Sequence, residues 1–242
     1  KLKSFCQKIN LDFIFINSAW SGNKKISDGD LNDQLKNIFL ASDAISIAAE
    51  IGCKKFINIG SVFENYIDKF IKENWYQSKF NFENQIDYSL SKNISRDFNR
   101  LVSYLKKIDY IHCTFSIFID SELSGDGYIP KTLKKISKGI SYKEPESKEL
   151  FDITFLDEGC EAIFLLSQKG KINKSYYIGT SSPRKLNYIF NTFKAAKFNL
   201  SINEDKSSKS VYNKLFDTSS LIEDIGYKPT KTFKKFSLEY FQ

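Results

Sequence analysis

The sequence contains few of the residues that metal sites and histidine-dependent catalysis require. Its 242 residues include one histidine, His112, and four cysteines that lie far apart and form no CxxC pair. A disulfide framework and a zinc site are therefore not expected, and no metal ligand is assigned. Because His112 lies within the apolar stretch 110–115, we interpret it as a strand residue rather than as a member of a Ser-His-Asp triad.

Methionine is absent from the chain altogether. Translation starts with methionine, and this residue is normally removed only before a small side chain, which Lys1 does not have. We therefore expect the sequence to begin inside a longer protein.

Arginine is scarce although the chain is basic overall. The formal net charge is +7, but only three of the 36 basic residues are arginines, and arginine is the side chain that recognises bases and phosphates most effectively. The lysines are scattered in pairs, and no nucleic-acid-binding motif accompanies them. The charge alone therefore does not predict a nucleic-acid partner.

Long apolar runs are missing as well. No stretch reaches the ~18 residues that a membrane helix needs, and the N-terminus lacks the pattern of a signal peptide. Hydrophobic residues make up 41% and aromatic residues 15% of the chain, unlike the composition of disordered proteins. We expect a globular protein with no membrane partner and a cytoplasmic location.

Short apolar runs alternate with longer segments of helical spacing. Runs at 11–17, 55–60 and 110–119 predict strands buried on both faces, and apolar residues at spacings of three and four predict helices over 30–51 and 88–107. This alternation is typical of a parallel sheet covered by helices. The remaining predicted elements are helices over 129–138, 155–166 and 186–196, a strand over 176–179 and a polar loop over 199–210.

Ligands of such sheets bind beyond the carboxyl ends of the strands. Residues 17–20, 60–63 and 114–116 follow the three predicted strands or end them. Small and polar side chains at these places are expected to line one crevice.

Tyr88 and Lys92 form the candidate catalytic pair. Their spacing places a phenol and an ammonium group on one helix face. A phenol with the reference pKa of ~10 is a poor base at neutral pH, and lowering that pKa by ~3 requires roughly 4 kcal/mol. A neighbouring lysine and a cationic nicotinamide can supply this energy. The chain holds a second Tyr-x-x-x-Lys match, Tyr227 to Lys231, but Pro229 interrupts it.

Segment 37–61 resembles the pattern of the extended short-chain dehydrogenase/reductases, the NAD-dependent epimerase/dehydratase family. In that pattern an Asn-led helix ends in a Gly-Val-Lys-Arg-Phe-like turn, here Gly-Cys-Lys-Lys-Phe, and the next strand closes on a catalytic Ser or Thr, here Ser61. Four further segments resemble the family in the same order, at 12–19, 88–92, 155–162 and 216–229.

The resemblance implies an α/β fold: a Rossmann-like parallel sheet with helices on both faces that binds NAD or NADP, and a smaller C-terminal domain that usually holds a nucleotide-sugar. Residues 1–118 would form the remainder of the dinucleotide-binding domain, to which 151–180 would return. Residues 119–150 and 181–242 would form the substrate-binding region.

The resemblance also implies roles for individual residues. Tyr88 would be the acid/base, Lys92 would lower its pKa and bind the nicotinamide ribose, and Ser61 would hydrogen-bond the reacting oxygen. The other residues expected near the cofactor are Ala19, Asn37, Gly60 and Thr114.

The glycine fingerprint that holds the pyrophosphate in this family is absent. Neither Gly125 and Gly127 nor any other group of glycines reproduces it after a predicted strand. We therefore expect the first βαβ unit to be missing, and the chain as given to bind dinucleotide poorly.

Two further departures concern the substrate. Val62, a candidate substrate contact, and Phe63 follow Ser61 where the family's dehydratases carry an Asp-Glu pair, which disfavours 4,6-dehydration. Cys113 replaces an arginine often seen after the third strand, and 149–152 differ from the usual Arg-Asp-Phe. The residues expected to supply a diphosphate contact instead are Lys131 and Arg184.

The sequence thus predicts an NAD(P)-dependent epimerase or ketoreductase of a nucleotide-activated sugar, serving surface polysaccharide synthesis, with a homodimer as a further expectation. The alternative is a non-catalytic member of the fold that senses dinucleotide or binds a partner. The choices between NAD and NADP, and between epimerase and reductase, stay open.

Overall fold

The structure is a computed structural model that describes residues 13–21, 31–72, 86–145, 150–201 and 211–242. Predictions that concern residues 11, 12, 30, 149 and 202–210 lie outside the described residues. The helices and strands, in chain order, are β1 (Ile14–Asn17), α1 (Leu31–Glu50), β2 (Lys55–Ile59), α2 (Val62–Lys72), α3 (Ile86–Lys106), β3 (Asp109–Phe115), β4 (Ile117–Ile119), α4 (Tyr128–Ser137), β5 (Leu150–Phe151), β6 (Ile153–Phe155), α5 (Leu156–Lys169), β7 (Lys174–Ile178), β8 (Arg184–Lys185), α6 (Leu186–Lys197), a 3-10 helix (Val211–Phe216), α7 (Ser219–Ile225) and α8 (Phe233–Tyr240).

Within the described parts of the chain, four strands form the main sheet, in the order β1-β2-β3-β7. β1 and β2 run parallel with Ile14 opposite Lys55, and β2 and β3 run parallel with Lys55 opposite Asp109. Six of the seven residues of β3 are buried, as expected for a strand inside a parallel sheet whose faces are covered. The predicted α/β fold with a parallel sheet is confirmed.

The chain divides into two compact units, which comprise residues 1–114 with 165–176 and residues 115–164 with 177–242. In the first unit, Phe56 is fully buried between Phe15 and Tyr110, with ring centroids 5.3 and 6.3 Å away. In the second unit, β4 pairs with β6 and β5 with β8, and the core includes Leu133 of α4 and Phe193 of α6. The ligands predicted for the two regions stay predictions.

The division of the predicted strand 110–119 into β3 and β4 is the main difference from the sequence-based expectation. Ile117 donates its backbone N–H to the carbonyl of Asp152 at 3.2 Å, and the backbone N–H of Asp152 donates to Ser116 Oγ at 3.2 Å. The strand therefore leaves β3 and pairs with β6 instead of continuing. The sequence-based elements also omit α2, α7, α8 and the short strands β5, β6 and β8.

Helices α1 and α3 pack against each other. The buried side of α3 is polar and includes four serines. Both helices also carry large apolar side chains that are exposed, namely Leu31, Phe39, Leu40 and Ile47 on α1 and Ile94, Phe98, Leu101, Tyr104 and Leu105 on α3. Across the residues described, no helix is long and apolar enough to cross a membrane.

Candidate active site

Ser61 caps the N-terminus of α2 directly after β2. Its Oγ accepts the backbone N–H of Phe63 at 3.3 Å, and its own backbone N–H donates to Glu64 Oε1 at 2.8 Å. This reciprocal arrangement is a capping box, which the spacing Ser-x-x-Glu favours. Apolar periodicity alone does not predict α2 or single out Glu64. The Ser-x-x-Glu spacing directly after a strand does predict a helix start at Ser61.

Ser61, Tyr88 and Lys92 come together at the carboxyl end of β2. Tyr88 lies in the first turn of α3, and its hydroxyl is hydrogen-bonded to the Ser61 side chain. Lys92 lies one turn later, where Nζ donates to the carbonyl of Ile59 at 3.3 Å. The same Nζ lies 5.9 Å from the centre of the Tyr88 ring and 3.9 Å above the Trp20 ring. The catalytic roles of these residues stay predictions.

Burial sets the charge states of the pair. Burial raises the pKa of Tyr88 to about 12, against the hydrogen bond from Ser61, and the negative charge of Glu64 raises it further. Burial also lowers the pKa of Lys92 to about 8, against the charge of Glu64, which raises it. At neutral pH Tyr88 therefore holds its proton and Lys92 is mostly cationic. The protein groups alone do not produce the low phenol pKa that a base requires.

The segment after β1 is tied to α1 by two side chains. Asn37 accepts hydrogen bonds from the backbone N–H and the hydroxyl of Ser21, both at 2.9 Å, and donates to the carbonyl of Ser21 at 3.1 Å. Gln34 accepts from the indole N–H of Trp20 at 2.8 Å. These contacts hold the Trp20 ring over Lys92, and they occupy the amide of Asn37, which the resemblance assigns to the cofactor.

The other candidate cofactor residues lie at the ends of strands. Ala19 is exposed and donates its backbone N–H to Asn17 Oδ1 at 3.4 Å. Thr114 is buried in β3. Gly60 follows β2, where its backbone N–H donates to the carbonyl of Cys113 at 2.6 Å. Their predicted contacts with a cofactor stay predictions.

A buried acid and the single histidine of the chain lie directly behind Ser61. Glu64 Oε2 and His112 Nε2 are 2.7 Å apart, and both side chains are almost fully buried. A Cβ atom at Gly60 would lie 2.3 Å from Glu64 Oε1 and 2.4 Å from His112 Nε2. Only glycine therefore fits at position 60 while the pair keeps this geometry. His112 lies in β3, as predicted, but its contact with Glu64 is not visible in the apolar pattern around it.

The predicted substrate residues lie apart from one another in the chain. The Val62 side chain is buried in the first turn of α2. In the second unit, Lys131 of α4 pairs with Asp126 at 3.3 Å. Arg184 of β8 donates to the carbonyl of Pro183 at 2.9 Å. Their predicted contacts with a substrate also stay predictions.

The second unit contains a cavity of about 770 Å³ between the start of α5 and α8. Its lining includes the rings of Phe155, Phe236 and Tyr240, together with Asp157 and Lys231, which pair with each other. None of the predicted site residues lines this cavity. Among the described residues, no three His, Cys, Asp or Glu side chains are grouped to hold a metal ion.

No protein-family model and no curated protein matches this sequence. Solved structures match over nearly the whole chain. The UDP-glucose 4-epimerase of Thermotoga maritima, solved with UDP-glucose, is 15% identical with a TM-score of 0.71, covering 99% of this chain and 81% of its own. The Bordetella bronchiseptica enzyme WbmG, solved with NAD and UDP, is 15% identical with a TM-score of 0.66, and the match covers 94% of this chain and 72% of WbmG.

RMD of Pseudomonas aeruginosa, solved with NADPH, is 12% identical with a TM-score of 0.69, and the match covers 94% of this chain and 80% of RMD. At these identities the matches show a shared fold. The shared fold agrees with the Rossmann-like α/β fold that the resemblance implies.

Proposed function

We propose that the protein is an NAD(P)-dependent enzyme that epimerises or reduces a nucleotide-activated sugar, with Tyr88 as its acid/base. The observation that carries this proposal is the convergence of Ser61, Tyr88 and Lys92 at the carboxyl end of β2. This is the edge at which parallel sheets bind ligands. The fold shared with structures that contain NAD, NADPH or UDP-glucose supports the same substrate and cofactor classes.

The residues fit the nicotinamide end of a dinucleotide. Two hydroxyl groups and one ammonium group lie near one another there, and the Lys92 ammonium can donate to ribose hydroxyls. When bound, the nicotinamide accepts or supplies a hydride and brings a positive charge in its oxidised form. The sequence offers no glycine fingerprint for the pyrophosphate, so the roles assigned here concern the reacting end alone.

The two candidate reactions use Tyr88 in opposite directions. In an epimerase, Tyr88 takes the proton of a sugar hydroxyl. It returns the proton after the keto sugar has rotated and presents its opposite face to the nicotinamide. In a reductase, Tyr88 donates its proton to the oxygen of a keto sugar, which suits the raised pKa of its phenol. In both reactions Ser61 hydrogen-bonds the reacting oxygen and Lys92 favours the phenolate by its charge.

Hydride transfer tests this function against the non-catalytic alternative. The keto derivatives of a panel of nucleotide-sugars would be incubated with NADH or NADPH deuterated at C4, so that the deuteride has a carbonyl carbon to reduce. We expect deuterium in the sugar, detected as a gain of one mass unit. If the protein binds dinucleotide but transfers no deuterium to any member of the panel, the dinucleotide-sensing alternative replaces the enzyme. A cytoplasmic location stays a prediction.

We also propose that the protein forms a homodimer through the exposed apolar side chains of α1 and α3. Exposed apolar surface can mark interaction sites when it is extensive, and both helices belong to the same unit. Leu101, Tyr104 and Leu105 are 55, 76 and 67% exposed on neighbouring positions of α3. A second copy that presents the same face would bury these side chains.

The double variant Leu101→Lys, Leu105→Lys is expected to be monomeric. Burying one leucine is worth ~1.5–3 kcal/mol, so losing two on each protomer weakens association at least ~100-fold. Light scattering coupled to size-exclusion chromatography gives the mass directly. The control is Leu200→Lys, because Leu200 is equally exposed in the second unit. An unchanged mass in the double variant would place the interface elsewhere.

A further inference from the structure

A chain of buried polar side chains crosses the first three strands behind the candidate active site. Asn17 Oδ1 accepts the backbone N–H of Ala19, so the amide nitrogen of Asn17 donates to Asn58 Oδ1 at 3.0 Å. Asn58 then presents Nδ2 to His112 Nδ1 at 3.3 Å. Because an amide NH₂ group only donates hydrogen bonds, His112 Nδ1 is an acceptor.

A second donor reaches the same nitrogen atom. The Tyr110 hydroxyl lies 3.1 Å from His112 Nδ1, and burial raises the pKa of this phenol, so the hydroxyl keeps its proton and donates it. The hydrogen-bond network therefore assigns the ring proton of a neutral His112 to Nε2. His112 is thus a neutral donor to Glu64 rather than its counter-ion.

Glu64 uses both carboxylate oxygens as acceptors. Oε2 accepts from His112, and Oε1 accepts from the backbone N–H of Ser61. A capping box needs only the second of these bonds, which a glutamine would also make. The cap of α2 therefore does not explain why position 64 carries a fully buried acid or why this acid is bonded to His112.

Three of the cations on α3 are Lys92, Arg96 and Arg100. Arg96 lies 2.7 Å from Asp68 of α2 and 2.9 Å from Asp97. Arg100 lies 3.6 Å from Asp97 and donates to Ser175 Oγ at 3.0 Å. Both arginines are thus balanced by these aspartates. Lys92 Nζ donates to the carbonyl of Ile59, two residues before the backbone N–H that Glu64 accepts. Both charges therefore lie against the same turn of backbone, and the charge of Glu64 raises the pKa of Lys92, which burial lowers.

We propose that Glu64, oriented by neutral His112, is a positioning residue that keeps Lys92 protonated in the desolvated site and fixes the backbone of Ser61. The inference rests on the proposed function for its catalytic meaning. The charge of Lys92, in contrast, can be measured without any turnover. The other titratable groups around Glu64 and Lys92 are Tyr88 of α3 and Tyr110 and His112 of β3.

Glu64→Gln separates the charge from the cap. The introduced amide oxygen can retain the bond to Ser61, which keeps the cap of the helix. Its NH₂ group then faces the Nε2–H of His112, so the negative charge and the bond to His112 are lost together. We expect the protonation midpoint of Lys92 to fall by about 1–2 pH units, a tenfold or greater loss of proton affinity. NMR of protein labelled with ¹³C at lysine Cε follows this midpoint, and the Lys92 signal is assigned by its absence in Lys92→Arg.

Glu64→Asp is the matched control, because it keeps the charge and should keep the midpoint closer to that of the wild type. If Glu64→Gln does not fold, Gly60→Ala is the second variant. Its methyl group displaces the carboxylate from Ser61 and should also lower the midpoint of Lys92. An unchanged midpoint in whichever of the two variants folds would overturn the proposal.

Turnover gives the second readout. With an identified substrate, the alkaline limb of kcat/KM should move to lower pH in Glu64→Gln, with roughly tenfold lower activity at pH 8 and little change at pH 6. A lowered Lys92 midpoint in a protein that transfers no hydride would support the positioning role of Glu64 and contradict the enzymatic function. An unchanged Lys92 midpoint in a protein that transfers hydride would support the enzymatic function and contradict the positioning role of Glu64.

Discussion

Tyr88→Phe is expected to abolish turnover while leaving NAD or NADP affinity nearly unchanged. The substitution removes the oxygen that exchanges the proton, and general acid/base groups contribute roughly 10²–10⁴-fold to rates. It keeps the ring, whose centroid lies 6.1 Å from that of Trp20 and 6.2 Å from that of Phe63. Single-turnover deuterium transfer measures the chemical step, and calorimetric titration measures the dinucleotide affinity.

The matched control for this variant lies on the same helix. Tyr104 is 76% exposed, so Tyr104→Phe removes a hydroxyl from α3 at a distance from the site and should leave the rate unchanged. If Tyr88→Phe keeps a rate within about threefold of the wild type on the same substrate, proton transfer belongs to another residue.

Lys92→Ala is expected to reduce both turnover and dinucleotide affinity. The variant loses the cation that favours the phenolate of Tyr88 and the ammonium group proposed to bind the ribose. It also leaves Glu64 without the buried positive charge beside it, so the pKa of the phenol rises further. In the oxidative direction, residual activity should therefore increase as the pH rises, because more Tyr88 is then ionised.

The wild type should show the opposite trend in the alkaline range. Lys92 has a pKa of about 8, so its charge is present below pH 8 and is lost above it. In the reductive direction Tyr88 stays protonated over this range, so activity in that direction should decline above pH 8. Rate measurements from pH 6 to 10 on both proteins test these signs. Lys92→Arg keeps a cation and serves as the control. An alkaline decline that persists in Lys92→Ala would have to come from a different group.

The sheet and the main helices could be predicted because their signals are local. The apolar runs find β1, β2 and β3, and the spacing of three and four finds α1 and α3 with ends within about two residues. The break between β3 and β4 could not be predicted, because the sequence 110–119 is apolar almost throughout. What ends β3 is the backbone of Asp152, which is distant in the chain and pairs with Ile117.

The site was accessible to sequence reasoning only in part. Tyr88 and Lys92 are one helical turn apart, so their spacing is visible, and Ser61 follows a recognisable strand. Glu64 and His112 are 48 residues apart, and nothing in the apolar pattern around either one indicates the other. Likewise, the amide of Asn37 is bonded to Ser21 across 16 residues, a contact that only the fold creates.

The missing side chain at Gly60 makes three positions of the sequence dependent on one another during evolution. The space that a methyl group would need there is occupied by Glu64 and His112. A larger residue at position 60 must displace the Glu64 carboxylate or the His112 ring, unless a smaller residue has replaced at least one of these two. A substitution at position 60 is therefore expected to be neutral only when it is paired with a change at position 64 or 112.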